Sequence, residues 1–472
     1  MSGLFSSLKA SSDALSAQSR AVEIAGKNLA NVNNATYARQ RVIFGDLGTV
    51  LTANGPQSMG LQALGVEQLR DRLLDQQVLK EIALSLSHQS EQQAYQRAQA
   101  GLGQGVTGTS AVTGSSSTSD NGIAAALDDY FNAFQSLAAN PTDAGQRQTL
   151  IQRASILVDR IQLADNRLAQ VQSDLGAQVT NDVSDANRIL QDIANLNEQI
   201  GRFEVDNPGA AVDLRDQRQA ALEQLAAKIP IEIRNGNQSQ IQVVAKDGFG
   251  ADVMLVNLNA VQGTVAFNGT QITAGSPATV LALNGGSING ALVARDGPIQ
   301  TLRDNLDLLA NQLVTSVNEA YNPTGLTGDF FDAAGLTAGT IALASGLTPT
   351  SLKASDGGPA GDNSVALAIA ALATKKFSTT GLPPDLIDGS FSGHFSKSVS
   401  DLGQALAGAN ARVDNQTSIE KIVRTQRDGI SGVSLDEEMA DLLKYQRAFQ
   451  ASSRVFGVID DLIDVVVNRL RG

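Results

Sequence analysis

The most regular hydrophobic pattern in the chain lies in its last forty residues. Leu435, Met439, Leu442, Phe449, Phe456, Ile459, Ile463, Val466 and Leu470, with Gln446 and Ser453 filling the gaps, recur at steps of mostly four and three. That is the heptad spacing of a helix that packs on other helices. Ser434 and Glu437 have the spacing of a capping box, which satisfies the first backbone donors. Asp436, Glu437 and Glu438 then sit at the positive end of the helix dipole, and Arg469 and Arg471 at the negative end. A helix from Leu435 to Leu470 would be about 54 Å long and needs a surface to lie against. The opposite end of the chain offers one: Leu8, Leu15, Val22 and Leu29 are spaced by seven, with Phe5, Ser12, Ser19 and Ala25 or Gly26 between them.

Between these ends the pattern alternates between helix and strand. Asn31, Asn33 and Asn34 break the first helix, residues 42–65 read as extended and Gly-punctuated, and Val66–Gln99 reads as helix with Leu69, Leu73, Val78, Ile82 and Leu86 on one side. Gly101–Asn121 is a Gly/Ser/Thr-rich loop, and Ile123–Ala138 is helical. A very long helix follows from about Asp143 to Phe203, marked by Leu150, Leu157, Ile161, Leu168, Val171, Leu175, Val179, Val183, Leu190, Ile193 and Ile200. Val212–Ile229 is a further helix. At Ile231 the period changes to two, with Asn-Gly and Asp-Gly turns. Helix returns at Asn289–Asn318, at Ser364–Lys376 and from Phe395 to about Arg427.

The expected fold class is mainly α with a β insertion, in an elongated multi-domain chain. Residues 1–65 and 428–472 would form a terminal coiled coil. Residues 66–230, 288–322 and 364–427 would form a helical bundle, 231–287 an inserted β domain, and 323–363 an irregular or β segment.

Composition narrows the function. The 472 residues carry 35 Lys and Arg against 48 Asp and Glu, a net charge of −13. With no basic cluster, this argues against a nucleic-acid partner. Residues 1–41 hold five basic and two acidic side chains and residues 432–472 five and seven, so pairing of the two ends is weakly favoured. Cys and Trp are absent, which excludes disulfides and thiolate chemistry. Residues 1–30 lack a cleavable secretory pattern, and the longest apolar run, Val365–Ala373, is too short to span a membrane. The chain is expected to be cytoplasmic or exported without a cleaved signal peptide, with no membrane insertion.

No pattern points to catalysis. Gly103, Gly105 and Gly108 match a dinucleotide fingerprint by letter but follow a helix and open none. His88 and His394 are isolated, which disfavours a His-based metal site or triad. The densest charged constellation, Asp213, Arg215, Asp216 and Arg218, has helical spacing and reads as a salt-bridge face. No catalytic residue, metal ligand or cofactor is assigned.

The run Asn28-Leu-Ala-Asn31-Val-Asn33-Asn-Ala-Thr36-Tyr37-Ala-Arg39-Gln40 resembles the N-terminal signature of the axial proteins of the bacterial flagellum, the rod, hook and hook-associated proteins. Thr36 stands where that family usually has Gly. Ser431–Glu438, Asp213–Arg218, and Gly290–Ile299 followed by Asn318, Tyr321 and Phe330–Phe331 also resemble family motifs and narrow the likeness to the junction between hook and filament. The resemblance implies a non-enzymatic building block of an extracellular flagellum, exported by the type III route. It implies self-association in a tubular helical array through the terminal helices. Its implied partners are the hook protein, the second junction protein (hook-associated protein 3) and an export chaperone that holds the seam from Leu435 to Leu470. A hook or distal-rod protein is the alternative within the family. A secreted enzyme or adhesin on an axial scaffold, or an intracellular coiled-coil scaffold, would be an alternative of another class.

Overall fold

The computed structural model describes residues 2–46, 48–52, 55–58, 60–102, 122–206, 209–236, 239–325, 328–359 and 361–466. The Gly103–Gly108 pattern, the rest of the Gly/Ser/Thr-rich loop through Asn121, Leu470, Arg469 and Arg471 lie outside the described residues. The fold is mainly α with small antiparallel sheets. It divides into two compact units: Met1–Ser85, Val183–Gly286 and Gln416–Gly472 form one, Leu86–Asp182 and Ser287–Asn415 the other.

The first unit opens with helix α1 (Ser2–Ala30) and strands β1 (Gln40–Asp46), β2 (Thr49–Thr52), β3 (Gly55–Ser58) and β4 (Leu61–Gln68). β1 pairs antiparallel with β4, placing Val42 opposite Val66. Val66 therefore belongs to a strand and not to the helix expected from that residue onward. The helix α2 (Arg72–Leu102) begins later, where the Asp71 carboxylate accepts from the N–H groups of Leu73 and Leu74 at 2.8 and 3.2 Å. Leu73, on that capping turn, is exposed, while Val78 and Ile82 are buried.

Helix α3 (Ile123–Ala139) precedes the sixty-residue α4 (Ala144–Phe203). Of the expected seam, Leu150, Leu157, Ile161, Leu168, Leu175, Val179, Val183, Leu190, Ile193 and Ile200 are buried and Val171 is half-buried, because a stripe of period close to 3.5 keeps one face inward along the length. Within the first unit, α4 carries the β insert on two asparagines. Asn197 donates to the carbonyls of Ile241 and Leu258, and Asn187 exchanges two 2.8 Å bonds with the backbone of Val265. The insert holds the sheet β5-β6-β7-β8 (Glu232–Asn235, Ile241–Lys246, Asp252–Asn257, Ala260–Val261) and the smaller sheet of β9 (Ala266–Phe267), β10 (Ile272–Ala274) and β11 (Thr279–Val280).

The turn from α4 into α5 (Val212–Lys228) is closed by Glu204, which accepts from the N–H of Ala211 at 3.0 Å and from Arg215 at 2.9 and 2.6 Å. Burial alone would raise this carboxyl, but hydrogen bonds from Arg215, Ser239 and the backbone at Gly209 and Ala211 hold it at about 2. A depressed carboxylate stabilises the fold above its unfolded value of about 4.5 and loses that contribution as pH falls toward 2. Glu204→Gln is expected to remove roughly 2–3 kcal/mol of this pH-dependent stability. Urea titrations at pH 7 and pH 3 check it: the variant's loss between the two should be smaller than the wild type's.

The second unit returns through α6 (Gly286–Asp296) and α7 (Pro298–Tyr321). A single helix was expected over Asn289–Asn318. The break falls at Gly297 because Pro298 disfavours helical backbone in the residue before it and suits the first position of a new helix. A Cβ on Gly290 would lie 2.0 Å from the Ser87 carbonyl oxygen, so only glycine lets α6 approach α2 this closely. Asn318 accepts from the N–H groups of Phe330 and Phe331 and donates to the Phe331 carbonyl. It thereby places both rings against Tyr130, which also packs on Phe134. Helix α8 (Ser364–Ala371) is shorter than expected, and α9 (Phe391–Ser431) leads to α10 (Leu435–Asp464).

Candidate assembly surface at the chain ends

The two ends of the chain pair as antiparallel helices. The C-terminal turns of α1 meet the N-terminal turns of α10 at Asn28 and Glu438, whereas Ser19 and Val22 lie beside Gln446 and Phe449. On α1 the buried positions are Ala17, Ala21, Ile24, Ala25 and Asn28. Leu8, Leu15, Val22 and Leu29, the expected seam, flank this stripe and are each half-buried. Small side chains at steps of about four let the helices approach closely; that alanine spacing was the signal in the sequence, and the larger leucines drew attention from it. The hairpin β1–β4 packs on the pair, with Val42 in the core and Phe44 6.2 Å from the Tyr445 ring.

The signature residues build a latch at the junction. Asn28 is 1% exposed and uses its whole amide. Its Nδ2 donates to the Gln40 carbonyl at 2.8 Å and to Glu438 Oε2 at 2.9 Å, and its Oδ1 accepts from the Tyr37 hydroxyl at 2.7 Å and the Gln40 N–H at 3.0 Å. Arg39 spans three acids of α10, with Nε 2.6 Å from Glu438, one terminal nitrogen 2.6 Å from Glu437 and the other 3.4 Å from Asp441. Its backbone N–H donates to the Ser431 carbonyl at 2.8 Å. Burial, followed by the charges of Asp216, Asp213 and Glu438, raises the Tyr37 hydroxyl far above its ordinary range, so it stays a donor. Ser434 accepts from the Glu437 N–H, but the Glu437 carboxylate turns to Arg39, so only half of the expected capping box is present.

Asn31 donates to the Lys27 carbonyl at 3.0 Å, and Asn33 is exposed. Asn34 Oδ1 accepts from the Thr36 backbone and hydroxyl at 3.2 and 3.1 Å. Thr36 is not among the positive-φ residues, so a side chain is accommodated where the family pattern has glycine.

The Asp213–Arg218 motif forms the floor beneath this loop. Asp213 pairs with Lys27 at 2.5 Å and accepts from Gln40 at 3.3 Å. Asp216 accepts from the Ala38 N–H at 3.3 Å and from Arg70 at 2.6 Å. Burial raises the Asp216 carboxyl even though Arg70 opposes that rise. Arg427 of α9 is 3% exposed and joins Glu223 of α5 at 2.7 Å to the Ala35 carbonyl at 2.7 Å. Most of these groups bond to one another and to backbone, while Gln40 Oε1, Arg70 Nε and Asp216 Oδ2 are buried without a hydrogen-bond partner among the described residues. Among the described residues no group of His, Cys, Asp or Glu could hold a metal ion, and no helix is long and apolar enough to cross a membrane.

Outward, α10 remains apolar. Leu435, Met439, Leu443, Phe449, Val455, Val458, Leu462 and Val465 are exposed, whereas Leu442, Phe456, Ile459, Ile463 and Val466 are half-buried. The expected seam is thus divided between two faces.

The chain is similar to known flagellar proteins. The family model of the flagellar hook-associated protein FlgK helical domain matches residues 109–331, and that of the flagellar basal body rod FlgEFG protein C-terminal region matches residues 427–470. The chain is 25% identical over 520 residues to flagellar hook-associated protein 1 of Bacillus subtilis, covering 99% of both chains. It is 27% identical over 333 residues to the Escherichia coli protein of the same name, covering 68% of this chain and 57% of that one. The flagellar hook junction protein FlgK from Burkholderia pseudomallei shares the fold, with a TM-score of 0.62 and 14% identity over 75% of this chain and all of the other.

Proposed function

Because the chain belongs to the flagellar hook-associated protein 1 family, we propose that it is a structural, non-enzymatic part of the flagellum that connects hook to filament. The observation that carries the mechanism is the half-used apolar surface of α10. One stripe packs on α1, and the outward stripe through Val455, Val458, Leu462 and Val465 stays exposed. Burying exposed aliphatic side chains gains roughly 1.5–3 kcal/mol each, so neighbouring copies gain by covering them. Self-association of these paired ends builds the tubular array, with hook protein below and hook-associated protein 3 above. Before assembly the same seam, read as a helix-in-groove ligand, is held by the export chaperone. The junction lies outside the cell.

Substituting Val458 and Leu462 together by Asp tests this. Both side chains are exposed, so monomer stability should change by less than about 0.5 kcal/mol. Self-association in sedimentation velocity and motility of a flagellated host should be lost. Motility equal to wild type would overturn the reading, and a large drop in monomer melting would make α10 an ordinary core helix.

A further inference from the structure

Next to the latch, within the same unit, a cleft of about 640 Å³ opens between the β4 end, the first turn of α2, α5 and the β5–β6 turn. Four arginines line it: Arg70, Arg72, Arg215 and Arg218. Two are neutralised inside the fold. Arg70 meets Asp75 at 3.1 Å and Asp216 at 2.6 Å, and Arg215 meets Glu204 at 2.6 Å. Glu67, also on the wall, is engaged by Arg41.

Among the described residues, the other two hydrogen-bond only to neutral groups. Arg218 is 9% exposed and donates to Asn197 Oδ1 at 2.8 Å and the Ser239 carbonyl at 3.1 Å. Arg72, on the exposed rim, donates to Asn235 Oδ1 at 3.2 Å. Burial, with Arg215, Arg70 and Arg72 close by, lowers Arg218 to about 10 even though the charge of Glu204, itself bound to Arg215, opposes the fall. That still leaves it charged at neutral pH. A buried cation without a direct ion pair is costly to a fold, and the nearby Glu204 carboxylate is already paired with Arg215. Here it borders a space large enough for several atoms, with a second guanidinium at the mouth that forms no ion pair among the described residues.

We propose that this cleft binds an oxyanion of the carboxylate type, held between Arg218 at its base and Arg72 at its rim. The planar fork of a guanidinium matches two carboxylate oxygens, and polycarboxylates would engage both arginines at once. The carboxylate has two possible sources, a free small anion or an Asp or Glu of a second copy, whose chain carries 48 such residues. The site does not depend on the proposed function.

Calorimetric titration of the full-length monomer with sodium citrate, against sodium chloride at equal ionic strength, tests it. Saturable citrate binding is expected, absent with chloride. Arg72→Gln should weaken it about tenfold, the loss of one charge-assisted contact, and Arg218→Gln should abolish it. Should Arg218→Gln fail to fold, as judged by circular dichroism, the exposed Arg72→Gln decides alone. No saturable binding to the wild type, or Arg72→Gln binding as tightly as wild type, would overturn the site. Sedimentation with and without citrate separates the sources while supporting the site either way: citrate that suppresses self-association assigns the carboxylate to a second copy, and indifference assigns it to a free anion.

Discussion

Arg39→Ala should free the start of α10 from α1. The substitution leaves the carboxyl of Glu438, which is 2% exposed, with Asn28 as its only remaining side-chain partner among the described residues. Breaking a buried ion pair from one side costs about 3–5 kcal/mol, mostly from the charge left behind. Native-state hydrogen exchange checks this: amides of Leu442–Phe456 should lose protection by that amount, while those of α4 keep theirs. The double variant Arg39→Ala with Glu438→Leu should recover a large part, since the stranded carboxylate is gone. Unchanged exchange in the single variant would show that helix packing alone holds the pair.

Arg427→Ala should cost a similar amount at the other side of the latch. It strips Glu223 of its 2.7 Å partner and leaves the Ala35 carbonyl without its donor. Arg424 stays 3.2 Å from Glu223, so the carboxylate keeps one cation and the loss should fall at about 3 kcal/mol, the lower end of the range for one-sided removal. Chemical denaturation followed by circular dichroism measures it. Glu223→Gln in the same background should restore part of the loss; an additive pair would mean that the two groups do not act together.

Both variants act on contacts that link distant parts of the chain, and this separates what could be read in advance from what could not. The long helix α4 was legible almost residue by residue, because its stripe depends only on side chains three and four apart. The change at Ile231 was legible too, since alternation and Asn-Gly turns are local. The boundary at Val66 was not. That residue is as apolar in a helix as in a strand, and its pairing with Val42 comes from a partner twenty-four positions away.

The latch shows the same limit. Tyr37, Arg39 and Gln40 stood out through resemblance, and Asp436–Glu438 through the helix dipole, but nothing in either stretch connects them. Asn28 and Glu438 are 410 positions apart. Their bond turns Glu438 toward α1 and so sets the rotation of α10. Leu442, Tyr445, Phe456, Ile459 and Ile463 then follow at helical steps on the inner side, and Leu435 and Met439 turn outward. Periodicity could establish that α10 is a helix with apolar faces, because that is a property of neighbours along the backbone. Which face the chain keeps for itself was settled by the folded contacts of Asn28 and Arg39, because a helix with apolar residues on more than one side has no inner side until a fixed charge pair gives it one.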